Sequence, residues 1–351
     1  MKYALLLATV LLLTGCAAER MASSRWPAGL SARAIDRVGQ LKLNLRPWRA
    51  GPGVVITSRH YQIFTTVRNP IEQQLILLVL ETEYAQFKKL VPEAAPKLPL
   101  YGFIFAHRRQ WARFTARHLA GRAGAYLHAD VAGYDDGAVF ALFRTTVAEM
   151  LSVTAHEAWH QFSFVSLRDH LPAWLDEGLA TQFETISWQR GQPHFISALN
   201  YPRWQALQRV CRRREFIAFP TFTRLEAGEV VAAGPVVTRA YYAEVWSLML
   251  FLIDHYGRPK IATILHAACK GSLTAALLRT GLTAGQLHAE TIHWNEIAGP
   301  LFFRKFITAD PAKLFSEYKI FARQLVAAFP PSPELQAKTR LTPPPASSRG
   351  N

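Results

Sequence analysis

Two histidines and a glutamate in one short segment have the spacing of a metal-dependent hydrolase. His156, Glu157 and His160 form an H-E-x-x-H motif, and residues four apart lie one above the other on a helix. Both imidazoles can therefore bind one metal ion, which for this motif is zinc. Glu157 is turned by about 100° from His156, so it can act as general base on a water that the metal activates. We expect His156 and His160 to be ligands and Glu157 to be catalytic.

A third ligand follows after 16 intervening residues, in the segment W-L-D-E-G at residues 174–178. A catalytic zinc usually has three protein ligands and one open position, so we expect Glu177 to complete the set and one Zn²⁺ to bind per chain. Pro172 breaks the helical pattern and allows the chain to return beside the first helix. Asp176 can orient a ligand histidine, and Glu184 is a weaker candidate ligand. The alternative is that Asp176 and Glu177 complement the dipole at a helix N-terminus.

The residues around the motif predict a buried helix. Because that helix is largely apolar, its histidines and glutamate need partners inside the protein, and a metal ion provides them. The apolar residues are Met150, Leu151, Ala155, Ala158, Trp159 and Phe162. The alternative is a helix whose two histidines are only polar surface groups.

Together these segments resemble the gluzincin metallopeptidases. The membrane alanyl aminopeptidases carry a tryptophan-leucine-x-glutamate-glycine segment similar to residues 174–178. Residues 242–257 are similar to that family's helix with a catalytic tyrosine, whose hydroxyl stabilises the oxyanion of the tetrahedral intermediate. The resemblance therefore implies this role for Tyr242. Tyr241 is the adjacent alternative, and a packing role for either tyrosine is the other interpretation.

The resemblance covers roughly residues 120–257 and departs from the alanyl aminopeptidases in two ways. The gap between the second histidine and the third ligand is two residues shorter, and the glycine-x-methionine-glutamate-asparagine segment that grips a free amino terminus is absent. The closer likeness is to small bacterial gluzincin-like proteins of uncharacterised substrate. In gluzincins the strand before the zinc helix is a sheet edge that binds extended peptide, which implies this role for Ala138–Phe143 or its partner strand.

The first residues resemble the signal of a bacterial lipoprotein. Lys2 precedes a short apolar run, Leu5–Leu13, and residues 13–16 read Leu-Thr-Gly-Cys, similar to a lipobox. This implies cleavage before Cys16 and its acylation, which would anchor the chain in a lipid bilayer. Ala17 favours the outer membrane, facing the periplasm, and an ordinary secretory signal with a chance cysteine is the alternative. No other run reaches about 18 apolar residues, so we expect the rest to be soluble and tethered.

The chain is strongly basic, with 40 Lys and Arg residues against 25 Asp and Glu and a formal net charge of +15. Such a surface could lie against anionic lipid or polymer, or it could simply be solvated. The densest basic cluster, residues 212–214, belongs to no nucleic-acid-binding motif, so we expect no nucleic-acid partner. Cys211 and Cys269 could pair in an oxidising compartment or remain buried thiols. The oligomeric state stays open.

The order of predicted elements indicates an α+β fold, with a mixed or antiparallel sheet and helices followed by a mainly helical half and the zinc site at the junction. Predicted strands lie within 54–67 and at 98–106, 125–131 and 138–143, the last two forming a hairpin, and predicted helices lie at 71–90, 108–119, 145–165, 173–185 and 241–256. The expected organisation is a signal peptide (1–15), a tether (16–50), an α/β subdomain with an edge hairpin (51–143), a helical metallopeptidase subdomain (144–329) and a disordered tail (330–351).

These features predict a membrane-anchored zinc peptidase, with an endopeptidase as the first choice and a peptide or protein as substrate. One alternative is a catalytically inactive envelope lipoprotein of gluzincin fold that acts as a binding or scaffold protein. Glu157 argues against it, because a structural zinc site needs no base. The other alternative is a zinc amidase acting on cell-wall material, which would use the same tetrahedral chemistry.

Overall fold

A six-stranded mixed sheet and a helical half form an α+β fold, as the sequence predicted. The computed structural model describes residues 26–27, 29–49, 51–128, 132–137, 139–287 and 291–328. One hydrophobic core extends through both halves, from Ile56 in the sheet to Trp246 in the helices. The expected signal peptide, Cys16 and the C-terminal tail lie outside the described residues.

The elements follow one another in a sheet half and a helical half. The sheet half comprises α1 (Ala32–Gly39), β1 (Asn44–Pro47), β2 (Val54–Thr57), β3 (Tyr61–Thr65), α2 (Pro70–Leu90), β4 (Leu100–Phe105), α3 (Arg108–His118), α4 (Ala123–His128), β5 (Gly133–Asp135) and β6 (Val139–Phe143). The helical half comprises α5 (Val147–Ser166), α6 (Ala173–Ala180), the hairpin β7 (Ile186–Gln189) and β8 (Gln192–Phe195), α7 (Tyr201–Arg213), α8 (Phe219–Phe222), α9 (Ala227–Ala232), α10 (Pro235–Tyr256), α11 (Arg258–Lys270), α12 (Ser272–Leu278), α13 (Ala284–Leu287), α14 (Thr291–Phe302) and α15 (Pro311–Ala328).

The strand order places β5 at an edge of the sheet and β6 inside it. The order is β1-β2-β3-β4-β6-β5; β4 is parallel to β3 and β6, while β5 pairs antiparallel with β6. The sequence left two strands open as the edge, Ala138–Phe143 or its partner, and the first is wrong, since β6 is hydrogen-bonded on both sides. Its partner β5 carries the free edge in the described part of the sheet. Long-range pairing with β4 decides this, and no local pattern encodes it.

Helix α5, which carries the metal motif, begins and packs as its sequence directs. The Thr146 side chain accepts a hydrogen bond from the Glu149 N–H at 3.1 Å and caps the helix N-terminus. Further along, Trp159 and Phe162 pack against Phe87 of α2, with ring centres 5.3 and 4.8 Å apart. The helix is thereby fixed between the sheet half and the helices that follow.

Several segments differ from the sequence prediction. Residues 32–47 were expected in the tether but form α1 and β1, because Ala34 and Val38, one turn apart, are buried in the core. The predicted strand at 125–131 is helical over Ala123–His128, with residues 129–131 outside the described part, and the shorter β5 takes the place beside β6.

The third difference is the hairpin β7–β8, which lies where the sequence indicated only helices. Arg190 and Gly191 connect its strands, and both have positive φ values, 53° and 83°. Two such residues form the turn that matches the twist of a hairpin. The second site helix is also shorter than predicted: α6 ends at Ala180 and continues as a short 3₁₀ turn, Thr181–Phe183.

Helix α10 is the one single helix in the described residues that is long and apolar enough to span a membrane. It has 22 residues and a mean hydropathy of 1.3, and 61% of its apolar window is buried inside the protein. The bent pair α11 and α12 passes the same test only if both helices count as one span. Helix α10 packs against α6 and α7, so core packing accounts for its apolar character. Cys211 and Cys269 are free thiols.

Helix α10 also carries a buried glutamate, Glu244. Glu244 is fully buried, and its carboxylate accepts a hydrogen bond from the Ile217 N–H at 3.0 Å. Burial raises the pKa of this carboxyl from 4.5 to about 8. The folded protein therefore keeps a proton on Glu244 over a pH range in which the unfolded chain releases it.

We expect Glu244→Gln to remove part of the pH dependence of stability. Between about pH 4.5 and pH 8, wild-type stability should fall as pH rises, because only the unfolded state gives up this proton. The free energy of unfolding of the variant, minus that of wild type, should therefore increase with pH, by up to about 1.4 kcal/mol per pH unit. Urea unfolding at several pH values measures this difference. Glu215→Gln, at an exposed position, is the control; equal behaviour of both variants would contradict the prediction.

Candidate metal centre

Two helices place the predicted ligands side by side. His156 and His160 project from α5, and Glu177 projects from α6, which begins directly after Pro172. The N–H groups of Leu175 and Asp176 bond to the Pro172 carbonyl at 2.9 and 3.0 Å, so the proline starts the return helix as expected.

Three ligand atoms converge between these helices. Nε2 of His156 and Nε2 of His160 are 3.2 Å apart, and Oε2 of Glu177 lies 3.2 and 3.3 Å from them. Two donor atoms bound to one tetrahedral zinc ion at about 2.0–2.1 Å would be about 3.3 Å apart. The separations of the three atoms therefore fit one zinc ion.

A carboxylate oxygen lies close to the other nitrogen of each histidine. Nδ1 of His160 lies 2.8 Å from Oδ2 of Asp176, and Nδ1 of His156 lies 3.0 Å from Oε1 of Glu184. An acceptor at Nδ1 favours the tautomer that keeps its hydrogen there, which leaves the Nε2 lone pair free. In this tautomer both Nε2 lone pairs face the Glu177 carboxylate, so a metal ion or protons on the rings must lie between these acceptors. Such carboxylate–histidine pairs are typical of metal sites.

Glu184 is not one of the three converging residues, although the sequence suggested it as a weaker candidate ligand. Its carboxylate is held by Arg203, with Nη2–Oε1 and Nε–Oε2 distances of 2.5 and 2.9 Å, and by the Asn200 amide at 2.6 Å. Glu184 thus orients His156 rather than joining the three convergent atoms. Arg203 and Asn200 were missed by the sequence analysis, because nothing in the local sequence of α7 marks either residue as a partner of α5.

The charges in the site favour a bound cation. Burial alone would raise the pKa of Glu177, but His160 and His156 hold it well below its usual range. Burial would likewise raise the pKa of Glu184, but Arg203 and His156 lower it to about 2. Burial lowers the pKa of His160, yet Glu177 and Asp176 outweigh it and raise that pKa well above 6.5. The carboxylates are ionised at neutral pH and attract positive charge.

Glu157 lies beside this cluster, against the edge strand. It is 8% exposed, and burial raises its pKa, while His156 and His160 oppose the rise. A Cβ added to Gly133 of β5 would lie 2.9 Å from the Leu142 Cβ and 3.3 Å from Oε1 of Glu157. A glycine at this position therefore lets the free edge of β5 come close to the predicted base.

The structure separates the two candidate tyrosines. Tyr242 lies near the metal ligands, with its ring centre 5.9 Å from that of His156 and 4.8 Å from the Arg203 guanidinium carbon. Tyr241 is fully buried and packs against Phe222, 5.8 Å between ring centres. Its hydroxyl has no hydrogen-bond partner in the described part of the chain. Tyr242 therefore faces the site, and Tyr241 faces the core.

Comparison with known proteins adds one match. A family model described as "Protein of unknown function (DUF1570)" matches residues 150–274. This range begins within α5, ends within α12 and contains the ligands, Glu157 and Tyr242. No curated protein matches the chain. The match covers the region around the candidate site, and its description assigns no function.

We expect one zinc ion per chain in the purified protein lacking the first 19 residues, and none in the His160→Ala variant. The variant keeps only two of the three ligands, which are too few donors to hold the ion. It also leaves the Asp176 carboxylate without its histidine partner. Elemental analysis after dialysis measures the metal content. Tyr241→Phe, which alters a buried ring outside the ligand set, should keep the full zinc content. Zinc-free wild type after incubation with zinc would contradict the assignment.

Proposed function

We propose that this protein is a zinc-dependent peptidase, and more specifically an endopeptidase, with His156, His160 and Glu177 as ligands. One observation carries the proposal: three ligand atoms converge within 3.3 Å of one another, while a carboxylate lies close to the far nitrogen of each histidine. A buried glutamate next to them, Glu157, supplies the base that a purely structural site does not need.

Glu157 can move a proton in both directions. Zinc bound in this site would polarise the substrate carbonyl and lower the pKa of an attacking water. The Glu157 carboxyl, whose pKa burial raises, can accept the proton of that water. It can then return the proton to the amine that leaves when the peptide bond breaks, because a pKa nearer neutrality suits both transfers.

Tyr242 supports the same reaction as a hydrogen-bond donor. Burial raises the pKa of its phenol well above 10, so the hydroxyl keeps its proton at neutral pH. A neutral donor aimed at the reacting carbonyl stabilises the oxyanion that forms there. Arg203, stacked on the Tyr242 ring, restrains the tyrosine by a cation–π contact.

The free edge of β5 supports a peptide as the substrate. An edge strand offers unpaired N–H and C=O groups with which an extended peptide can pair. β5 packs along α5, and its Gly133 is next to Glu157. A peptide paired with β5 would therefore run past the base and the ligands, which is the geometry that cleavage within a chain requires.

The cell envelope is the proposed location. The apolar run at residues 5–13 and the lipobox-like residues 13–16 support export and acylation of Cys16. The peptidase would then be held at the outer membrane and face the periplasm, and its net charge of +15 would favour contact with anionic lipid.

We expect Glu157→Gln to bind zinc normally and to lose turnover by roughly 10²–10⁴-fold, because the amide cannot accept a proton. Cleavage of a fluorescent peptide library and zinc content measure the two properties together. Undiminished turnover would remove Glu157 from the mechanism. Cleavage of purified peptidoglycan without any peptide cleavage would instead favour the amidase. A zinc-loaded wild type that cleaves neither material would favour the binding protein.

We expect Tyr242→Phe to lower kcat by roughly 10²–10³-fold, the usual effect of removing one oxyanion donor, with a much smaller change in KM. Tyr241→Phe is the matched control, because it removes the adjacent hydroxyl, which has no partner among the described residues, and should leave kcat nearly unchanged. Steady-state kinetics on one peptide compares them. A larger loss in Tyr241→Phe than in Tyr242→Phe would reverse the assignment.

A further inference from the structure

An aromatic side chain is exposed on the same helix that carries the metal ligands. Phe164 is 59% exposed, although α5 is otherwise well buried around the motif. It follows His156 and His160 at intervals of four residues, so all three lie on neighbouring positions of one helix side. With a rise of about 1.5 Å per residue, Phe164 lies about 6 Å beyond His160 along the helix axis.

The Phe164 ring also lies against the turn that ends the edge strand. A Cβ added to Gly137 would be 2.7 Å from two atoms of the Phe164 ring, so one side of the ring rests on glycine backbone. Gly137 has a φ of 87°, a conformation that favours glycine. The strand β5 therefore runs beside α5 from Gly133, next to Glu157, to the turn next to Phe164. Phe164 therefore lies beside the turn at the end of β5.

This position gives the exposed ring a specific partner. An extended peptide rises about 3.3 Å per residue, so a side chain about two residues from the bond at the metal centre would reach Phe164. The free part of the ring is apolar, and covering it with another apolar side chain removes both from water. A small apolar or polar side chain would leave the ring exposed.

We propose that Phe164 forms an apolar subsite that binds a large hydrophobic side chain of an extended peptide, about two residues from the cleaved bond. This inference rests on the proposed peptidase function and names its substrate class: peptides with leucine, methionine or an aromatic residue at that one position. Isolated exposed hydrophobic residues occur on most proteins, but this one continues the ligand side of α5 and contacts the end of the edge strand.

The first experiment is cleavage of a peptide library randomised on both sides of the cut by wild type, Phe164→Ser and Ile320→Ser. Ile320, on α15, is 54% exposed and is the matched control. Wild type and Ile320→Ser should prefer a large hydrophobic residue at one position. Phe164→Ser should lose this preference, with kcat/KM for the hydrophobic peptide falling on the order of tenfold and zinc content unchanged. An unchanged preference in Phe164→Ser would overturn the subsite.

The second experiment separates failure of the subsite from failure of catalysis. The Glu157→Gln protein, loaded with zinc, is used to select peptides from the same library by binding alone. Selected peptides should be enriched in a large hydrophobic residue at one position, and adding Phe164→Ser should weaken their binding about tenfold. Such enrichment without any cleavage by wild type would support the subsite and refute the peptidase. Selection without enrichment would refute the subsite, whatever wild type cleaves.

Discussion

The convergence of two imidazole lone pairs and one carboxylate on a single point is the constraint that the rest of the site serves. Acceptor atoms about 3.2 Å apart repel one another unless a metal ion or a proton lies between them, and burial strengthens that repulsion. Carboxylates near the Nδ1 atoms orient the two rings: Asp176 contacts His160, and Glu184 contacts His156. Glu184 is in turn held by Arg203. The buried negative charges are thus either paired or directed at the ion position.

The close approach of α6 and α10 connects the three converging ligand atoms to Tyr242. A Cβ added to Gly178 of α6 would lie 3.1 Å from the Val245 carbonyl oxygen of α10 and 3.3 Å from the Met249 side chain. Glycine in the W-L-D-E-G segment therefore allows α10 to pack directly on α6. That contact places Tyr242 near His156, and the neighbouring Tyr241, turned by about 100°, then faces the core. The W-L-D-E-G segment therefore carries Glu177 and also positions α10, which places Tyr242 on the other side of the site.

The parts of this site that the sequence predicted are those fixed by local geometry. His156 and His160 share a helix side because they are four residues apart, and Glu177 follows from a short return after Pro172. The strand predicted at 125–131 was wrong, and the β7–β8 hairpin was missed although its Arg190–Gly191 turn is local. Of the two strands considered as the edge, residues 138–143 were wrong, because strand pairing depends on distant partners. The role of Glu184 was missed for the same reason: its contacts with Arg203 and His156 join residues far apart in the chain.

The glutamates in the protein interior differ in pKa mainly because their neighbouring groups differ. Glu83 and Glu244 are fully buried, and burial raises the pKa of both, so each is easiest to accommodate as a neutral acid. Glu177 is also buried and the Glu184 side chain is largely buried, yet histidine and arginine neighbours lower their pKa and keep them ionised. Glu157 lies between these cases, because burial raises its pKa and two histidines oppose the rise. A carboxyl balanced in this way can exchange a proton, whereas its ionised neighbours hold charge in place, and this division is the one that the proposed catalytic site requires.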